Sequence, residues 1–123
     1  MKKVAVIQSV YKNDKPEYLK LSIDSILNQT FKNFVLFLGI DGPIGNDVRE
    51  VIESVNDARL CVIENKENKG LASILNDLLA ECRKQGYEYI ARMDSDDISK
   101  PERLEKQIAF LQDHADIDIV GGA

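Results

Sequence analysis

Histidine occurs once in this 123-residue chain, cysteine twice and proline three times. The single His114, in a polar stretch, reads as an exposed helix-end residue and not as a metal ligand. Cys61 and Cys82 lack ligand-like spacing, which excludes a zinc site and a disulfide framework. They read as small buried hydrophobes in a reducing compartment. Scarce glycine and proline exclude low-complexity sequence, and no repeat or linker interrupts the chain. No apolar run is long enough for a membrane span, and the few apolar residues after Met1-Lys2-Lys3 are too short for a signal peptide. Basic excess is missing too: the net charge of −5 argues against a nucleic-acid partner. An anionic nucleotide stays allowed, because a metal can supply positive charge locally. What remains is ordinary globular composition, enough for one domain with a real core.

Apolar runs alternate with helical patterns. Val4 to Gln8, Phe34 to Ile40, Leu60 to Ile63 and Tyr89 to Met93 read as strands, mostly continuous in their hydrophobicity. Pro16 suits a helix start, with Asn13 or Asp14 as cap, before Leu19, Ile23, Ile26 and Leu27. Val48, Val51, Ile52 and Val55 form a second helical face. Gly70 opens a third, with Leu71, Ile74, Leu75, Leu78, Leu79 and Cys82 as a core stripe. Pro101 begins a fourth, carrying Leu104, Ile108 and Leu111. Continuous strands separated by helices predict an α/β fold whose parallel sheet is covered on both faces. Ligands of such sheets collect at the carboxyl ends of the strands.

The residues at those ends are the chemically suggestive ones. The most informative are Asp94-Ser95-Asp96-Asp97, directly after the last strand. Three carboxylates within four residues repel one another and favour a cation between them. Hard oxygen ligands suit Mg²⁺ or Mn²⁺. The same residues also fit a solvated acidic turn with Asp97 or Ser99 as helix cap. Ser9-Val10-Tyr11, Asp41 and the run from Asn65 to Gly70 fall at the other strand ends.

Several short stretches together resemble the nucleotide-sugar-binding half of a GT-A glycosyltransferase of family 2, of the amylovoran and O-antigen biosynthesis kind. They are Ser9 to Asn13, Ser25 to Thr30, Asp41 to Pro43, Glu64 to Leu71, Ala91 to Asp97, Pro101 to Gln107 and Asp118 to Gly122. The resemblance implies a GT-A fold that binds a UDP-sugar. It implies that Asp41 accepts a hydrogen bond from the uracil imide, and that Ser9, Val10 and Tyr11 meet base and ribose. Asp94 and Ser95 would lie near the nucleotide, and Asp94 and Asp96 would hold the Mn²⁺ or Mg²⁺ that bridges the diphosphate. Gly70 could offer a backbone N–H to the pyrophosphate or simply form a turn. Gln29 and Thr30 read as structural, closing the first helix. Arg92 and Arg103 read as ion-pair candidates.

The resemblance further implies an inverting, metal-dependent transfer to a glycan or lipid-linked hydroxyl at the cytoplasmic face of a membrane. Peripheral membrane association of the parent would follow. Relatives continue for roughly another hundred residues, which carry the acceptor groove and the catalytic base. Residues 1–123 are therefore expected to be the donor-binding part, with no catalytic residue of their own. Apolar surface left exposed would let two copies associate. The alternative expectation is a non-catalytic nucleotide- or metal-binding module. A nucleotidyltransferase would need a glycine- and arginine-rich loop after the first strand, and a receiver domain would need acids there. Ser9 and Tyr11 stand in that place instead.

Overall fold

The sheet is built on β1 (Val4–Val10), which pairs in parallel with β2 (Phe34–Asp41) on one side and β4 (Tyr89–Met93) on the other. Beyond them lie β3 (Leu60–Asn65) and the two-residue β5 (Ile119–Val120), giving the all-parallel order β3-β2-β1-β4-β5. The computed structural model describes residues 4–12, 14–29, 32–87 and 89–93, with 102, 104, 106, 119 and 120. The four expected strands are present, with β1 and β3 each extending two residues further and β2 one, and β5 is additional to them.

Three helices connect them: α1 (Pro16–Leu27), α2 (Asn46–Glu53) and α3 (Leu71–Lys84). Alternate residues of a strand point to opposite faces, and each face has its own helices. Val4, Val6 and Val10 with Leu36, Leu38 and Ile40 pack against Leu19, Ile23 and Ile26 of α1 and Val48 and Ile52 of α2. Ala5, Ile7, Phe37 and Ile90 pack against Leu78 and Cys82 of α3. Helices thus cover both faces, as the continuous strands predict. The chain steps outward from β1 to β3 on one side, then returns across α3 to β4 on the other side of β1. Right-handed crossovers account for α3 lying opposite α1 and α2. Gly39 lets α3 approach: a Cβ there would stand 2.8 Å from Ile74 Cγ1 and 3.0 Å from Leu78 Cδ1.

The start of α1 departs from expectation. Lys15, in extended conformation, occupies the N-cap position without a side-chain cap, and Pro16 follows at the first turn. Asp14 turns backward instead, accepting the Tyr11 N–H at 2.9 Å while its own N–H donates to the Tyr11 carbonyl at 3.1 Å. A carboxylate closing that turn is not available to α1, and Asn13 lies outside the described residues.

Two long-range ties brace the α1 side. Gln29, fully buried, donates Nε2 to the Ser25 carbonyl at 3.0 Å and accepts the Leu104 N–H on Oε1 at 2.9 Å. It closes α1 as expected, and also pins a helical turn in which Lys106 N–H donates to Glu102 O at 3.0 Å. Leu104 is buried with the α1 face, whereas Ile108 and Leu111 lie outside the described residues. Arg59 donates to the Leu27 carbonyl at the C-terminus of α1 at 2.9 Å, where a cation suits the helix dipole. The same guanidinium pairs with Asp57 at 2.8 Å and lies 4.6 Å over the Phe34 ring. That pairing holds the Asp57 carboxyl down to about 2.

Candidate functional site

The chain reverses its direction across the sheet at β1, between β2 and β4. At such a switch point the loops leaving neighbouring strands diverge to opposite faces and open a crevice. A cavity of about 450 Å³ lies there, bordered by Ser9, Val10, Tyr11, Asp14, Asp41, Asn68, Gly70, Leu71, Ile74 and Arg92. Five of the predicted residues, Ser9, Val10, Tyr11, Asp41 and Gly70, therefore meet around one volume. They come from β1, β2 and the β3–α3 loop, and only the parallel register brings them level.

Tyr11 is held by the backward turn of Asp14 and keeps its ring 42% exposed. Leu71, assigned by periodicity to the core stripe of α3, is 50% exposed and borders the cavity. An aromatic and an aliphatic side chain left open beside a cavity of mixed lining suit a planar ligand. Of the rest of the stripe, Ile74, Leu78 and Cys82 are buried as expected, while Leu75 and Leu79 are half-buried against that core. Burial pushes the Cys82 thiol up to about 12.

Asp41 ends β2 and is only 4% exposed. Its Oδ1 accepts the Lys69 N–H and its Oδ2 the Gly70 N–H, both at 2.9 Å. A buried carboxylate demands such partners. Gly42, at φ +87°, lets the two loops touch: a Cβ there would stand 2.7 Å from the Asn68 backbone nitrogen. Gly42 also donates its N–H to the Asn65 carbonyl at 3.1 Å. The Gly70 N–H, considered as a pyrophosphate donor, is thus directed at Asp41.

Arg92 brings a guanidinium to the cavity from β4. Sequence reading placed it beside the acidic run; position alternation puts it on the α3 face with Ile90. Asp94, Ser95, Asp96 and Asp97, like Arg103 and Thr30, lie outside the described residues. Among the described residues, no group of three or more His, Cys, Asp or Glu could hold a metal ion. Met93, last in β4, pairs with Gln8 of β1, and Asp94 is the residue that follows it. Asp14, Asn68 and Ile74 were not singled out as site residues. The short range of the Asp14 turn was a readable signal, and Asn68 lay in the Asn65–Gly70 run marked after the third strand; Ile74, read as core of α3, carried none.

A parallel sheet with a crevice of mixed polar and apolar lining at its switch point places the chain among α/β domains of the kind whose ligands collect there. Residues 6–123 match the family described as Glycosyl transferase family 2, and the chain belongs to it. It is 47% identical to the bifunctional glycosyltransferase pgtA of Dictyostelium discoideum, over 84% of this chain and 14% of that protein. It is 34% identical to the amylovoran biosynthesis glycosyltransferase AmsE of Erwinia amylovora, over 97% of this chain and 44% of the relative. Identity with the O-antigen biosynthesis glycosyltransferase WbnJ of Escherichia coli is 37%, over 96% and 44%. The chain thus spans less than half the length of these curated relatives. In fold it is similar to S. aureus TarS 1–349 in complex with UDP, with a TM-score of 0.76 at 24% identity over 94% of this chain and 33% of that one. It is also similar to the mannosyltransferase PcManGT of Pyrobaculum calidifontis in complex with GDP-Man and Mn²⁺, with a TM-score of 0.71 at 22% identity over 88% and 32%. The GT-A sheet expected from the sequence is the fold observed. No helix among the described residues is long and apolar enough to cross a membrane.

Proposed function

We propose that this chain is the donor-binding part of an inverting, metal-dependent glycosyltransferase that uses a UDP-sugar in bacterial cell-surface polysaccharide biosynthesis. The carrying observation is the convergence of Ser9, Val10, Tyr11, Asp41 and Gly70 on one cavity at the switch point. The amylovoran and O-antigen relatives support the polysaccharide, and the UDP complex of TarS supports the nucleotide. In this reading the base lies between Tyr11 and Leu71. Each Asp41 oxygen, with one backbone N–H already bound, has a second lone pair to accept the uracil imide. Cytosine offers an acceptor at that position and is disfavoured. Asp94 and Asp96 are the proposed ligands of Mn²⁺ or Mg²⁺, with Ser95 beside the nucleotide. The Mn²⁺ complex of PcManGT supports a divalent ion. Bound there, the ion would neutralise charge on the departing diphosphate. The base that deprotonates a glycan or lipid-linked acceptor belongs, in this reading, to the further length present in the relatives. Action at the cytoplasmic membrane face and pairing of two copies are parts of the same proposal.

Calorimetric titration with UDP tests it, in Mn²⁺ and then in EDTA, with CDP as control. Metal-dependent binding that prefers UDP is the expected result, and Asp96→Asn should remove the metal dependence with most of the affinity. Equal binding of UDP and CDP, or affinity indifferent to EDTA, would refute the reading.

A further inference from the structure

The loop from Lys66 to Gly70 forms one wall of the cavity through Asn68 and Gly70, and delivers Leu71 to its rim. Its exposed residues supply little packing of their own. Its shape is held by neighbours at the end of β2. Asp41 grips two successive N–H groups, one on each carboxylate oxygen. Gly42 abuts the Asn68 backbone and bonds Asn65. Gly70 itself sits at φ +93° and ψ +161°, a region essentially reserved for glycine. That conformation turns the Gly70 N–H toward Asp41 just before α3 begins. A carboxylate placed at a helix N-terminus is favourably sited for the exposed N–H groups and the dipole. Asp41 is therefore an internal anion for α3.

We infer that Asp41 is a positioning residue: by holding the Lys69 and Gly70 N–H groups it sets the β3–α3 loop as the cavity wall before any ligand binds. This rests on the proposed nucleotide site only for the identity of the ligand; the clamp itself is a property of the free protein. Ordering the wall in advance spares the ligand the entropy of ordering it. One side chain then serves two purposes, wall and base contact. The two are separable, because a backbone change at Gly70 disturbs the loop while leaving the carboxylate itself in place.

Gly70→Ala makes that separation. A Cβ at Gly70 meets nothing within 4 Å, so the substitution acts through backbone strain alone. Asp41→Asn acts from the other end: its amide can accept from one of the two N–H groups and faces the other with a donor. Amide hydrogen exchange of the ligand-free protein, read by NMR, should show Lys69 and Gly70 protected. Asp41→Asn should speed the one left facing the amide's donor by about ten- to a hundredfold, the loss expected for a hydrogen bond to a charged group. In Gly70→Ala, exchange of the Lys69 amide should quicken similarly, and affinity for UDP and CDP should fall by one common factor. Asp41→Asn should in addition erase the preference between the two nucleotides. Unchanged exchange at both Lys69 and Gly70 in Asp41→Asn overturns the clamp. A change in the UDP-to-CDP ratio in Gly70→Ala overturns the separation of wall from base contact. Wild-type protein that shows the exchange pattern but no preference for UDP would refute the uracil reading and leave the clamp standing.

Discussion

Replacing Gln29 by leucine keeps volume and burial while removing both hydrogen bonds of a side chain with no solvent exposure. The half-buried Ser25 carbonyl near the end of α1 and the buried Leu104 N–H, 75 residues away in sequence, each lose their bond to Gln29. A buried polar group left unsatisfied costs about 1–3 kcal/mol. With the Leu104 N–H buried and the Ser25 carbonyl only half-buried, a loss of about 1–3 kcal/mol is predicted. Against the usual stability of about 5–15 kcal/mol this is large. With a urea dependence of about 2 kcal/mol per molar, the midpoint should fall by about 0.5–1.5 M. Amide exchange locates the damage: the Leu104 N–H should lose protection, while amides in β2 should follow only the global change. Stability within about 0.5 kcal/mol of wild type would refute the assignment of Gln29 as a buried tie.

Two further outcomes are expected. The Asp57 carboxyl lies below its ordinary 3.8 because of the Arg59 hydrogen bonds, so the pair stabilises the fold above about pH 4 and loses that contribution as pH falls toward 2. With the Asp57 side chain 23% exposed, about 1 kcal/mol is expected after screening, seen as a shallower acid limb of the stability curve in Asp57→Asn; identical limbs would contradict it. Burial that pushes the Cys82 thiol up to about 12 should leave it unreactive toward a thiol reagent in the native protein. The half-buried Cys61 should be labelled first, and simultaneous labelling would contradict the packing of α3.

The strands and helices were legible because their signals are local. Phe34 to Ile40 could be read as a strand buried on both faces from hydrophobic continuity alone, and Val48 and Ile52 as a helix face from spacing. Leu71 was misassigned because periodicity reports a helix face, not where that face runs past the edge of the sheet. Asp14 was misassigned because a carboxylate near a helix start has two local uses, and closing the Tyr11 turn won. The Arg59 brace gave no signal: its partners Leu27 and Phe34 are distant in sequence, and an arginine beside Asp57 looks like any surface pair.

The sequence by itself determined that this protein is an α/β domain with polar residues gathered at strand ends, because hydrophobic continuity, helical spacing and chain direction are written residue by residue. Its short motifs also pointed to the glycosyltransferase family to which the chain belongs. Tertiary structure alone decided that β1 lies centrally between β2 and β4, since strand order depends on which crossovers pack. That order makes a cavity of Ser9, Tyr11, Asp41 and Arg92. It also decided that Asp41 grips the Lys69 and Gly70 N–H groups, because a buried carboxylate takes whichever donors the neighbouring loop brings within reach.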